Sequence, residues 1–97
     1  MMDLNKLTEF EWDKGNVDKS FKKHKISPNE AEEIFLDDYL KIVKDIRHSQ
    51  KEQRFIALGK TFNEKQLFIV YTVRGEKVRI ISARPMDKKE RSHYEKT

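Results

Sequence analysis

The sequence predicts an α+β domain: a short strand, two helices, a run of four strands and a closing helix. Three observations carry this. A helical apolar period in the first third of the chain gives way to a period of two from Tyr39 onward. Ser27-Pro28-Asn29-Glu30 and Asp87-Lys88-Lys89-Glu90 have the pattern of helix-opening capping boxes and bracket the strand run. Only three glycines and two prolines punctuate the chain, each at a boundary between periodic segments.

Phe10-Glu11-Trp12 alternates apolar and polar residues and reads as the short first strand. Asp13 can cap a helix over about Lys14 to His24, in which Val17, Phe21 and His24 share a face. Gly15 and Asn16 weaken its first turn. At the second helix, Ser27 can accept the Glu30 N–H while Glu30 reaches back, and Pro28 occupies the position where a missing N–H costs nothing. Ala31, Ile34 and Phe35 form its buried stripe, and it should end near Leu36, before Asp37-Asp38.

Leu40, Ile42 and Ile46 then alternate with Lys41, Val43 and Asp45. Arg54 to Phe62 is the next strand, and Asn63-Glu64 makes the turn. Gln66 to Arg74 is apolar on both faces, as a central strand should be. Gly75-Glu76 suits a two-residue hairpin loop, with glycine first. Lys77 to Arg84 is the last strand and Pro85 ends it. The final helix is short and polar and holds His93 and Tyr94. Short turns between consecutive strands imply an antiparallel meander, with the helices expected on one of its faces.

The hairpin loops also predict faces. A two-residue loop at Gly75-Glu76 puts Leu67, Ile69, Tyr71, Val78, Ile80, Ser82 and Arg84 together, with Thr72, Arg79 and Ala83 opposite. A two- or four-residue loop around Asn63-Glu64 adds Arg54, Ile56 and Leu58 to the Tyr71 face. Arg54 and Arg84 are then expected on one face and Arg79 on the other. A single bulge would reverse part of this.

Composition sets the bounds. The 97 residues make one domain, 1–97, with 36% hydrophobic and 39% charged residues: a small core beneath a charged surface. The absence of cysteine excludes disulfides and thiolate metal sites. No apolar run is long enough to span a bilayer, and Met1 to Phe10 lacks a signal peptide's apolar stretch, so a cytoplasmic protein with no membrane contact is expected. Charge is uneven. Residues 1–50 carry 9 Lys/Arg and 11 Asp/Glu, a net −2, whereas residues 51–97 carry 12 and 6, a net +6. The basic half is suited either to a polyanion or simply to solubility.

His48, Glu52 and Arg54 lie within seven residues ahead of one strand, and Arg79 and Arg84 lie on the last. Cleaving RNA without a metal needs a base for the 2′-hydroxyl, an acid for the leaving oxygen and cations for the phosphorane-like charge. Arginine fits the last role, because its fork grips phosphate in two places and keeps its charge. The same residues could equally form surface ion pairs. Lys22, Lys23, His24 and Lys25 make a basic cluster that could contact phosphate or simply complement a helix C-terminus. Tyr71 and Tyr94 could stack on bases or pack in the core. His24, His48 and His93 fall in different elements without metal-ligand spacing, so no metal or other cofactor is expected. There is also no glycine-rich phosphate loop and no Ser-His-Asp arrangement.

Three blocks resemble BrnT toxins. The first is Phe10-Glu11-Trp12-Asp13, Asn16, Lys23-His24-Lys25-Ile26-Ser27, Glu30-Ala31 and Phe35-Leu36-Asp37. The second is His48-Ser49, Glu52, Arg54-Phe55 and Leu58-Gly59. The third is Arg79-Ile80-Ile81-Ser82-Ala83-Arg84 followed by Glu90-Arg91 and His93-Tyr94. The resemblance spans about residues 10 to 95. It implies a RelE-like fold and a type II toxin that cleaves RNA and blocks translation. The implied partner is a BrnA-like ribbon-helix-helix antitoxin, through which the complex reaches operator DNA. Carried over by position, it implies Arg54, Arg79 and Arg84 as phosphate and transition-state contacts and Glu52 or His48 as the acid–base group. Lys23 and His24, with Tyr71, are RNA-binding candidates, the first two completing the site from the helix side. The family's usual glycine after the Lys-His pair is Lys25 here, so a left-handed helix end should be less comfortable. The alternatives are a RelE-like module that binds an antitoxin or nucleic acid without catalysis, and a DNA-binding protein acting alone. The latter is disfavoured by the lack of a recognition helix.

Overall fold

The computed structural model describes residues 9–12, 14–48 and 52–96. In chain order these form β1 (Glu9–Trp12), α1 (Lys14–His24), α2 (Pro28–Glu33), a 3₁₀ turn (Ile34–Leu36), β2 (Lys41–Asp45), a second 3₁₀ turn (Ile46–His48), β3 (Arg54–Lys60), β4 (Gln66–Arg74), β5 (Lys77–Pro85) and α3 (Lys88–Glu95). The two capping boxes open α2 and α3 as the sequence predicts. Ser27 and Asp87 each accept the backbone N–H of the glutamate three residues on, and that glutamate bonds back to the cap. The cap expected at Asp13 lies outside the described residues.

The strands form one sheet in the order β1-β5-β4-β3-β2. The meander from β2 to β5 is antiparallel, but β1 runs parallel to β5, so the sheet is mixed rather than antiparallel throughout. β1 leaves the sheet at the end where β5 also finishes. α1 and α2 then carry the chain to the far edge, a crossover that a tight hairpin could not make.

One face packs the main core. Ile26, Ala31, Ile34 and Phe35 from the helical segment meet Ala57, Leu67, Ile69, Tyr71, Val78, Ile80 and Ala83, flanked by Phe10 and Trp12. α3 does not join them. Tyr94 and Met86 pack with Leu58, Ile56 and Phe68 on the other face. The helices therefore occupy both faces, contrary to the expectation of one. Gln66 to Arg74 is apolar on both sides because both are covered at that end. Ile46 does not extend β2; it turns away in the 3₁₀ segment and is 81% exposed. Phe21 stays 52% exposed, so the expected α1 stripe is only partly buried.

Two details set the faces. The β3–β4 pairing closes at Lys60↔Gln66, leaving a five-residue turn, Thr61 to Lys65, instead of two or four. Buried Thr61 closes this turn. Its hydroxyl accepts the Lys65 N–H at 3.0 Å, its carbonyl accepts Glu64 N–H at 2.9 Å, and Glu64 takes φ 66°. In β5 the register shifts: Val70 pairs with Ser82 but Tyr71 with Ile80, so Ile81 is an extra residue.

The 3₁₀ turn Ile34–Leu36 packs tightly on β3 at Gly59, where a Cβ would lie 2.8 Å from Ile34 Cβ and 3.2 Å from Leu40 Cδ1. Gly59→Ala is expected to force these elements apart and to lower stability by about 1–3 kcal/mol. Urea unfolding measures this, and an unchanged midpoint would contradict the close packing.

Candidate active site

Paired residues on neighbouring strands point to the same side, so the registers can be read as rows across the face opposite α2. The outermost row holds Glu52, Arg74, Lys77 and Glu9. Arg74 reaches Glu52 at 3.2 Å, and Lys77 reaches Glu9 at 3.2 Å. The next row holds Asp45, Arg54, Thr72, Arg79 and Glu11. Asp45 pairs with Arg54, Thr72 with Arg79, and Glu11 with Arg79, while Arg54 stands one step beyond the Phe55↔Tyr71 pair. Val43, Ile56, Val70 and Ser82 follow, and then Lys41, Leu58, Phe68 and Arg84.

Arg54, Arg79 and Arg84 thus share one face, contrary to the predicted division. The five-residue turn moves Arg54 across, and the Ile81 bulge moves Arg84. Arg54 and Arg79 are two strands apart, about 10 Å between backbones, with Thr72 between them. Thr72 is 2% exposed, and its hydroxyl donates to Gln53 O at 2.7 Å, fixing the start of β3. Glu11 lies 3.7 Å from Arg79 and 3.4 Å from Lys77. The bonds that Lys77 donates to Glu9, and then to Glu11, raise its pKa. The row is therefore a set of cations held between carboxylates. Sequence reasoning missed Thr72, Asp45 and Glu11, because only the register brings them beside the arginines.

Arg84 stands two rows further along, roughly 13–16 Å from Arg79. Its guanidinium binds Glu90 of α3 through two bonds of 2.7 and 2.8 Å and lies 3.8 Å over the Phe68 ring. The Glu90 bonds raise its pKa against the opposing effect of burial. Arg84 therefore anchors α3 and is not grouped with Arg54 and Arg79. The same helix is held at Asp37, whose carboxylate accepts the Tyr94 hydroxyl and the N–H groups of Lys60 and Tyr39. Burial, and then the bond to Asp37, raise the Tyr94 pKa.

Glu52 lies in the row next to Arg54. His48 closes the turn after β2, at the same end of the sheet; its side chain and residues 49–51 lie outside the described residues. Lys23 and His24 do not complete this site. They end α1 near Gln66 and Pro85, at the opposite end of the sheet. Tyr71 is not available to RNA either. It is 2% exposed on the core face, stacked on Phe55 and edge-on to Phe35. Among the described residues no group of three His, Cys, Asp or Glu side chains could hold a metal ion, and no helix is long and apolar enough to cross a membrane.

The sequence model of a family described as "Ribonuclease toxin, BrnT, of type II toxin-antitoxin system" matches residues 12–90. The chain belongs to the BrnT family. No curated protein matches it. The BrnT match takes in Arg54, Thr72, Arg79, Arg84 and Glu90, and family membership makes RNA the target and an antitoxin the partner.

Two outcomes follow for this BrnT chain. Burial pushes the Tyr71 phenol up to about 12, so its contribution is constant below an unfolded pKa of about 10 and is lost as pH rises from there through about 12. Tyr71→Phe should therefore remove about 2–3 kcal/mol of the alkaline loss of stability. Denaturant titrations at pH 8 and about pH 12 would show equal losses for both proteins if the phenol were exposed. Separately, Arg84→Ala should cost about 1–2 kcal/mol by loosening α3. Hydrogen exchange should rise first in Lys88–Glu95; unchanged exchange there would contradict the anchor.

Proposed function

We propose that the row Asp45, Arg54, Thr72, Arg79 and Glu11 is the phosphate site of a metal-independent endoribonuclease. One observation carries this reading: the five-residue turn and the sheet register place Arg54 and Arg79 on one face, on either side of Thr72, beyond the part that α3 packs against. Their two forks would grip the non-bridging oxygens of the scissile phosphate and stabilise the charge that grows there during attack. Glu52 or His48 takes the proton of the attacking 2′-hydroxyl. The oxygen–phosphorus bond forms as the bond to the 5′-oxygen breaks, and an acid returns a proton to that oxygen. The products are a 2′,3′-cyclic phosphate and a 5′-hydroxyl. Arg84 stands outside this grip, since Glu90 already occupies its fork.

The wider reading is of a RelE-like toxin that acts in the cytoplasm and blocks translation. A BrnA-like ribbon-helix-helix antitoxin holds it, and operator DNA is reached only through that complex. Family membership and the basic half of the chain support this reading.

Purified protein incubated with RNA in the presence of a chelator tests the chemistry. Wild type should cleave, while Arg54→Ala and Arg79→Ala should each lose about 100-fold or more. Arg84→Ala should lose much less. Equal cleavage by wild type and both variants would dismiss the row as the active site. Loss of wild-type cleavage in chelator would dismiss metal independence, and intact RNA with wild type under all conditions would leave a non-catalytic module.

A further inference from the structure

A second basic site lies at the other end of the sheet. Where α1 ends, a cavity of ≈ 430 Å³ opens between His24, Lys25, the start of β4 and the segment joining β5 to α3. That volume is in the usual range of small-ligand sites, roughly 300–1,000 Å³. Its lining combines the cationic or polar side chains of His24, Lys25, Lys65 and Arg91 with the apolar ones of Leu67, Pro85 and Met86. Lys65 is partly neutralised by Glu30 at 2.6 Å, a bond that also lowers the Glu30 pKa. Arg91 gives one N–H to Met86 O at 3.0 Å, which fixes the guanidinium.

Lys25 supplies an independent observation. It takes φ 58°, the left-handed conformation that ends helices and that favours glycine, and its N–H closes on Phe21 O at 2.9 Å. A side chain there costs about 1 kcal/mol or more relative to the helical region. The strained residue is a lysine, and it lines the cavity.

We propose that this cavity binds a nucleotide. Lys25 and Arg91 contact the phosphate, His24 donates beside them, and Pro85 and Met86 back the base. Leu67 is about 17 Å along β4 from Thr72, so the nucleotide would belong to the same RNA strand several residues from the cleaved bond. This extends the ribonuclease reading and rests on it only for the identity of the polymer.

The test is titration of the full chain with uridine monophosphate, followed by backbone NMR, with uridine and inorganic phosphate as separate probes. The nucleotide should shift Lys25, Gln66, Leu67 and Arg91 and bind more tightly than either probe. Lys25→Gly should raise the melting temperature while weakening binding roughly tenfold, a combination that general damage to the fold cannot produce. The double variant Arg54→Ala, Arg79→Ala should bind the nucleotide at these positions as wild type does. That result stands whether or not RNA is cleaved, so the two proposals fail separately. Shifts confined to the Arg54 and Arg79 row, or undiminished binding by Lys25→Gly, would overturn the site. Phosphate binding as tightly as the nucleotide would overturn its nucleotide identity.

Discussion

Side chains along a strand alternate between faces, so a residue changes sides only when its register changes by one. In this sheet that constraint decides which cations can act together. The five residues from Thr61 to Lys65 set the parity of β3 against β4, and the extra residue Ile81 sets the parity of the second half of β5 against the first. Without the first, Arg54 would point into the core beside Tyr71. Without the second, Ala83 would leave the core and Arg84 would replace it. The bulge therefore serves packing as much as it serves the arginines: it keeps Val78, Ile80 and Ala83 all buried although their spacing is not uniformly two.

This constraint also marks how far the sequence could be read. Local chemistry was legible: both capping boxes, the bounds of α1, the Gly75-Glu76 hairpin and the central character of Gln66 to Arg74 are written in residue types. Parity was not, because a turn containing Asn63-Glu64 looks alike with four or five residues. What distinguishes them is the Thr61 side chain folding back on Lys65. The side taken by α3 was equally hidden. Its polar sequence gives no direction, and it is fixed by distant partners, Asp37, Arg84 and the Leu58–Phe68 surface. For the candidate site, the arginines were legible, while their grouping and their neighbours Thr72, Asp45 and Glu11 were not.

Asp37 shows how these parts are tied together. One carboxylate bonds the turn before β2, the end of β3 and the Tyr94 hydroxyl. Because α3 is held at Asp37 and Arg84, its cover is confined to the end of the sheet nearer Pro85. Lys41 strengthens this by donating to the last carbonyls of the helix, His93 O and Lys96 O, where a cation complements the helix dipole.

The charge pattern then differs between the two ends of the sheet. At one end Arg54, Arg74, Lys77 and Arg79 are interleaved with Glu52, Asp45, Glu9 and Glu11, which keeps the cations oriented and limits their mutual repulsion. A polyanion binding there must compete with those carboxylates. The resulting grip is weaker, but the forks are already positioned and lose little freedom on binding. At the other end Lys25 and Arg91 line a cavity with the apolar Leu67, Pro85 and Met86, an arrangement suited to holding a ligand rather than to transforming it. One strand pair, β4 and β5, carries both ends, so the spacing between them is set by backbone rise and not by flexible loops.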